Sequence, residues 1–185
     1  MLTKPEIRNQ VLHSRNLLSS WDRVVDNKII CTNIIGLLQK FQEFKNIGLY
    51  YPVNGEPDIS RLFIVGNRNF SLPRVFERQE FDGAELEYRK YSLGDKLEKY
   101  NSTEVLQPTS GRVVIPDLIL IPGVAFNLHG FRIGFGKGHY DRYLSNKSII
   151  KVGCLYHDHL YENWLTDKHD IPMNYIITEK NILQL

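Results

Sequence analysis

The chain has 185 residues, enough for one domain with a sizeable hydrophobic core. It carries 23 Lys and Arg against 21 Asp and Glu, a formal net charge of +2, so bulk charge gives no argument for nucleic-acid binding. Hydrophobic residues make up 42% and charged residues 24%, no apolar run is long enough to span a membrane, and Lys4, Glu6 and Arg8 stand where a signal peptide needs an apolar stretch.

Thr3-Lys4-Pro5-Glu6 predicts a helix start, with threonine as cap, glutamate three residues on and proline in the first turn. Ile7, Val11 and Leu18 then share a stripe, and Lys4 and Arg8 stand four apart at its rim, where a charge can reach a cleft. A second helix is expected from Arg23 to Phe44 with Val25, Ile29, Leu37 and Phe41 inward. Ile47 to Pro52 reads as a strand ended by proline and the turn Asn54-Gly55. Asp58 caps a short helix to Val65. Phe70 to Phe76 is a strand in which Pro73 marks an edge or a bulge, and Glu85 to Tyr91 alternates like another. Residues 92–116 are polar and broken by Gly and Pro, and read as an irregular lid or substrate loop. Leu118 to Ile121 is a buried strand broken at Pro122-Gly123. Strands at Ile150 to Tyr156 and Tyr175 to Thr178 enclose a helix from Asp158 to Leu165. Strands alternating with helices imply one layered α/β domain over residues 1–185, with a central mixed, mostly parallel sheet flanked by helices.

The chemistry concentrates between Asp117 and Tyr143. Gly134, Gly136 and Gly138 alternate, with Lys137 among them and Arg132 and Arg142 on either side. Such a loop leaves backbone N–H groups free to meet an anion, and a helix starting near Lys137 would point its dipole into the same space. Lys137 is followed by Gly138 and not by Ser or Thr, unlike the common P-loop. Asp141, one turn after Lys137, is either its surface ion-pair partner or a magnesium ligand. Glu56 follows a strand end, where α/β sheets bind ligands. His157-Asp158-His159 lacks a third metal ligand, and Cys31 and Cys154 read as reduced thiols of a cytoplasmic protein.

The Pro-Gly-Val-Ala-Phe strand end, the Arg-Ile-Gly-x-Gly-Lys-Gly loop and the following Tyr-Asp-Arg resemble the 5-formyltetrahydrofolate cyclo-ligase (5,10-methenyltetrahydrofolate synthetase) family. Lys4-x-x-x-Arg8, Tyr50-Tyr51-Pro52 with Glu56, Pro73-Arg74, Gln107-Pro108, His169-Asp170-Ile-Pro and Ile176-Ile177-Thr178-Glu179 fall in the family's order. His139 replaces a usual tyrosine, Asn127 a usual aspartate, and Phe135 a residue that is often basic or aromatic. The resemblance implies ATP-dependent cyclisation of 5-formyltetrahydrofolate to 5,10-methenyltetrahydrofolate, with ADP and phosphate released. It implies Lys4, Arg132 and Lys137 as catalytic groups. The nucleotide would lie against Lys4, Arg8, Arg132, Gly134, Phe135, Gly136, Lys137, Gly138, His139 and Tyr140. Tyr51 and Glu56 would face the folate, and Asp141 and Asp170 would hold Mg2+. The partners expected are small-molecule substrates, without nucleic acid or membrane, for a monomer. The alternative is a non-catalytic folate- or RNA-binding module of the same fold.

Overall fold

Leu118, Ile119, Leu120 and Ile121 are all fully buried, and a strand apolar on both faces needs cover on both sides. The computed structural model, which describes residues 2–17, 20–77 and 84–185, shows how that cover is supplied. The first half contains helices α1 (Lys4–Leu17) and α2 (Val24–Leu38), then strands β1 (Asn46–Gly48), β2 (Asn69–Glu77) and β3 (Ala84–Tyr91). Next come β4 (Leu97–Lys99), β5 (Leu106–Pro108), β6 (Val113–Val114), β7 (Leu118–Pro122), β8 (Ala125–Asn127) and β9 (Arg132–Ile133). Helix α3 (His139–Leu144), β10 (Ile150–Cys154), β11 (Leu160–Tyr161), β12 (Tyr175–Ile177) and β13 (Ile182–Gln184) complete the chain. No described helix is long and apolar enough to cross a membrane.

Eight strands form one sheet in the order β13-β12-β10-β7-β1-β2-β3-β6. The central strands β12, β10, β7, β1 and β2 run parallel, and β13, β3 and β6 extend the edges antiparallel. This is the mixed, mostly parallel α/β sheet expected from the sequence. Leu118 and Leu120 pack toward Ile30, Ile34 and Leu37 of α2. Ile119 and Ile121 pack on the opposite face with Phe126 and with Tyr143 and Leu144 of α3. Ile7 and Val11 of α1 pack against Val124, Ala125, Ile133 and Trp164, on the small sheet β11-β8-β9.

The chain leaves β1 toward β2 on one side, and leaves β7 toward β10 on the other. A crevice therefore opens at the carboxyl ends of β1 and β7, the usual ligand position in an open α/β sheet. Asp117 sets the register of that pair: its Oδ2 accepts the N–H groups of Lys45 at 2.8 Å and Asn46 at 2.9 Å.

Several local expectations change. The capping box at Thr3 forms, with Glu6 Oε2 accepting the Thr3 N–H at 2.8 Å, but Leu18 lies outside the described residues. Arg15 instead continues the buried stripe of Ile7 and Val11. Helix α2 stops at Leu38, not Phe44, and the chain turns there because Arg68 donates to the carbonyls of Leu38 (2.7 Å) and Phe44 (3.0 Å). Val25 and Ile29 are exposed, and the inward face is Ile30, Cys31, Ile34 and Leu37. Regular pairing in β1 ends at Gly48, short of Pro52, and 60–64 is a 3-10 helix. Residues 157–161 form a 3-10 turn and a short strand, replacing the expected helix from Asp158 to Leu165.

Residues 92–116 hold the hairpin β4–β5 and the edge strand β6, where an irregular loop was expected. Long-range partners build it. Arg74 Nη1 donates to Glu98 Oε1 at 2.7 Å and to the Pro108 carbonyl, and Gln107 Oε1 accepts the Val75 N–H at 3.0 Å. Pro73 is tolerated because it lies past the end of β1. Ser71, two residues earlier on the same side, accepts the Leu49 N–H at 2.8 Å.

Gly48 marks the tightest point of the central sheet: an added Cβ would lie 2.6 Å from Ile119 Cγ2 and 2.6 Å from Tyr88 Cε1. Gly48→Ala is expected to destabilise the fold by about 1–3 kcal/mol through overpacking. Urea unfolding checks this, and an unchanged midpoint would contradict it.

Candidate active site

Three loops meet at the carboxyl ends of β1, β7 and β10, and Arg15 of α1 touches all three. Its Nη1 donates to the Asn54 carbonyl at 3.5 Å, and its Nη2 to the carbonyls of Gly123 at 2.8 Å and Val124 at 3.1 Å. The same Nη2 lies 3.5 Å from His159 Nδ1. Burial, reinforced by the charges of Arg15 and Arg23, pushes the His159 pKa down to about 4, so its ring is neutral at pH 7. Nδ1 can then accept from the guanidinium. A cavity of about 610 Å³ opens beside this junction, walled in part by Arg15, Arg23, Glu56, Tyr156 and His159. Tyr51 does not line it. It is half-buried against the α2-side core, as is Leu97 of the hairpin.

The Gly123-Val124 turn leads into the glycine loop through β8 and β9, with the Val124 N–H on the Ile133 carbonyl at 2.7 Å. Two of the three glycines make room for an arginine, and the third supplies a left-handed backbone turn. A Cβ on Gly134 would collide with Arg132 Nη1, and one on Gly138 would lie 2.9 Å from Arg142 Nη1. Gly136 sits at φ +88° with Arg8 Nη2 3.9 Å from its Cβ position. Arg8 Nε donates to the Gly134 carbonyl at 2.8 Å, and Arg142 Nη1 to the Lys137 carbonyl at 2.8 Å. Arg132 Nη2 donates to Asp141 Oδ2 at 3.0 Å, while its buried Nε has no hydrogen-bond partner. A buried donor without a partner at a glycine loop fits an anion contact. Lys137 is exposed and forms no ion pair among the described residues, so of the two readings of Asp141 the surface pair with Lys137 is not formed, and Asp141 pairs with Arg132.

Helix α3 begins at His139 and has six residues, so its dipole adds little and the arginines and Lys137 supply the positive field. Burial and the charges of Arg142, Lys137 and Arg132 hold the His139 pKa below the usual histidine value. Its ring meets Tyr100, at the tip of the β4–β5 hairpin, edge-on at 6.4 Å. Tyr140 stacks under Arg132, 5.1 Å from the guanidinium to the ring centre. Phe135, 44% exposed, projects from the loop. Lys4 reaches across to the C-terminal motif, with its Nζ 2.7 Å from Asp167 Oδ2 and also bonded to Asp170 Oδ2. Burial opposes the Lys4 charge, but these two carboxylates outweigh it and raise its pKa.

Glu56 is 6% exposed. Burial pushes its pKa up to about 7, against the pull of the Val53 N–H on Oε2 and of the charges of Arg15 and Arg132. The crevice thus brings a carboxyl poised near neutrality within electrostatic range of the glycine-loop arginine.

The sequence profile of the 5-formyltetrahydrofolate cyclo-ligase family matches residues 1–179. The chain belongs to this family. The 5-formyltetrahydrofolate cyclo-ligase of Haemophilus influenzae is 30% identical over 181 residues, covering 92% of this chain and 94% of the relative. That of Mycoplasma pneumoniae is 26% identical over 185 residues, covering 97% and 100%. The solution structure of the 5,10-methenyltetrahydrofolate synthetase of Aquifex aeolicus superposes with a TM-score of 0.83 at 33% identity, covering 99% of this chain and 93% of that one.

Within the cyclo-ligase family frame, the three departures find local explanations. Asn127 Oδ1 accepts the N–H groups of His129 at 3.1 Å and Phe131 at 2.9 Å, a turn that needs an acceptor oxygen but no charge. His139 keeps a ring against Tyr100, and Phe135 adds apolar surface without charge. Among the described residues, no cluster of three or more His, Cys, Asp or Glu forms a closed metal cage. Magnesium needs none when phosphates and waters complete its shell, and Asp141 at the glycine loop suits that role. Asp170 suits it less, since its Oδ2 takes both Lys4 and the Asp167 N–H, whereas Asp141 Oδ2 takes Arg132.

Sequence reading missed Arg15 and His159 as members of this junction. The available sign was a charged residue at the inward position of a helical stripe, four residues after Val11.

Between the ordinary glutamate pKa of 4.5 and about 7, folded Glu56 holds a proton that the unfolded chain has lost, so its contribution to stability falls as pH rises through that window. His159 acts in the opposite sense, adding stability as pH rises from about 4 to 6.5. The informative quantity is therefore the difference from Glu56→Gln. The unsubstituted protein is expected to lose stability relative to the variant from pH 4.5 to 7. Urea unfolding at stepped pH reads this, and parallel curves would refute the buried-carboxyl assignment.

Proposed function

We propose that this chain is an ATP-dependent ligase that cyclises 5-formyltetrahydrofolate to 5,10-methenyltetrahydrofolate, with release of ADP and phosphate. The observation that carries the reading is the match of the cyclo-ligase family over residues 1–179, in a chain where the charge of Arg132 on the glycine loop reaches buried Glu56. Residues 1–185 act as one domain and as a monomer, on small molecules in the cytoplasm, without nucleic acid or membrane partners.

The chemistry follows from the weakness of a formamide oxygen as a leaving group. The formyl oxygen attacks the γ-phosphorus, the bond from phosphorus to the bridging oxygen breaks, and ADP departs. N10 then attacks the activated formyl carbon, its proton leaves, and phosphate carries away the C–O electron pair. The methenyl bridge remains. Such a sequence asks the protein for in-line positioning and for neutralisation of developing charge.

Lys137 and the free Nε of Arg132 meet the phosphates, together with N–H groups between Gly134 and Gly138. Arg8 holds the loop by the Gly134 carbonyl, and Phe135, His139 and Tyr140 flank the nucleotide. Lys4 is the second cation over the phosphates, aimed by Asp167 and Asp170. Glu56 hydrogen-bonds the formyl or pterin side, and Tyr51 packs on the folate. Mg2+ would arrive with the triphosphate, held by Asp141, and would supply charge neutralisation at its oxygens. Asp170 joins that set only by releasing Lys4.

With ATP, Mg2+ and 5-formyltetrahydrofolate, the purified protein is expected to generate the absorbance of the methenyl product. Lys137→Ala is expected to weaken ATP use far more than folate binding, because lysine provides a point charge at phosphates. Separate titrations of the two ligands decide this. Folded protein that binds folate yet forms no product would return the chain to a non-catalytic binding module.

Asp141→Asn is expected to raise the magnesium concentration needed for activity, because a neutral amide is a weaker ligand for a hard cation. If Asp141 serves only to hold Arg132, the variant shifts ATP affinity and leaves the magnesium requirement unchanged.

A further inference from the structure

Arg15 has no role in the chemistry above, yet it is one of the most deeply buried charges in the molecule, 6% exposed. Burial depresses its pKa, and the Glu56 charge is the main influence restoring it. No carboxylate forms a direct ion pair with it among the described residues. A guanidinium buried on backbone carbonyls costs more than the leucine that would fill the same stripe position. Its donors divide between loops of different origin: Asn54 after β1, Gly123 and Val124 after β7, and His159 after β10. The stem is seated as well. Gly55, at φ +70°, lies flat against it, with a Cβ position 3.2 Å from Arg15 Cβ.

Those loops carry the two halves of the site. Asn54 and Gly55 immediately precede Glu56. The Gly123-Val124 turn carries Ile133 through the Val124 N–H, and Ile133 sits between Arg132 and Gly134. We propose that Arg15 is a positioning residue that fixes the folate half of the crevice relative to the nucleotide half, so that formyl oxygen and γ-phosphate meet in line. This rests on the cyclo-ligase reading. The planar fork suits the task because its two terminal nitrogens bond both loops at once, which a lysine ammonium on a flexible stem cannot reproduce.

Arg15→Lys and Arg15→Met test it. Lysine keeps the charge and much of the stem, so it stays informative if the methionine variant does not fold. Binding of a non-hydrolysable ATP analogue and of 5-formyltetrahydrofolate is measured separately by calorimetry, beside kcat and amide hydrogen exchange. For Arg15→Lys, each Kd is expected within about threefold of the unsubstituted value while kcat falls about 10- to 100-fold, the signature of misalignment. Amides at 53–56 and 123–125 should exchange faster, with those of Leu118–Ile121 unchanged. Unchanged exchange at either loop, or a fall in kcat matched by weaker binding of one ligand, overturns the proposal. If the unsubstituted protein forms no product, the cyclo-ligase reading fails, and the exchange data alone decide whether Arg15 ties the loops.

Discussion

The parallel pairing of β1 with β7 is the constraint from which the site follows. Parallel strands release their chains at the same edge, and here the two chains then move apart, one to β2 and the other to β10. The divergence leaves a crevice that neither connection covers. Everything that holds these strands in register therefore also holds the site. Asp117 grips the amides at the start of β1, Gly48 permits contact with Ile119 and Tyr88, and the two apolar faces of Leu118–Ile121 demand α2 and α3 as cover.

On this frame the glycine loop works as a seat for arginines. Gly134 and Gly138 lack the Cβ atoms that would displace Arg132 and Arg142, and Gly136 supplies a left-handed turn beside Arg8. Their guanidinia bond the loop's own carbonyls and the Asp141 carboxylate, which holds the cations close together. Burial, joined by that field, holds the pKa of the neighbouring His139 below the usual histidine value. Lys137 is left exposed, the one cation of the loop whose charge has no protein carbonyl or carboxylate assigned to it among the described residues.

Tertiary ties also join distant sequence motifs. Lys4 near the N-terminus meets Asp167 and Asp170 near the C-terminus. Arg74 meets the carbonyl of Pro108, and Gln107 meets the N–H of Val75, so two short motifs that look independent in sequence form one contact. The hairpin they anchor brings Tyr100 to His139, which places it beside the glycine loop.

The sequence by itself determined the first helix through its capping box, the buried strand through four consecutive apolar residues, the α/β class through alternation, and the family through the glycine-loop motif and the short motifs that accompany it. These are local patterns, and their physics is local: a cap bonds three residues away, and a glycine's conformation belongs to one residue. Only the tertiary structure decided where α2 stops, since its last carbonyl is taken by Arg68. It alone turned 92–116 into a hairpin, paired Asp141 with Arg132 in place of Lys137, and gave Arg15 its partners. It also gave Glu56 a pKa near 7, because desolvation depends on which distant loops close over a group. The stripe of Ile7 and Val11 marked Arg15 as inward, but hydrogen bonds across the crevice join residues with no fixed spacing along the chain, so its partners had no sign in periodicity or motif.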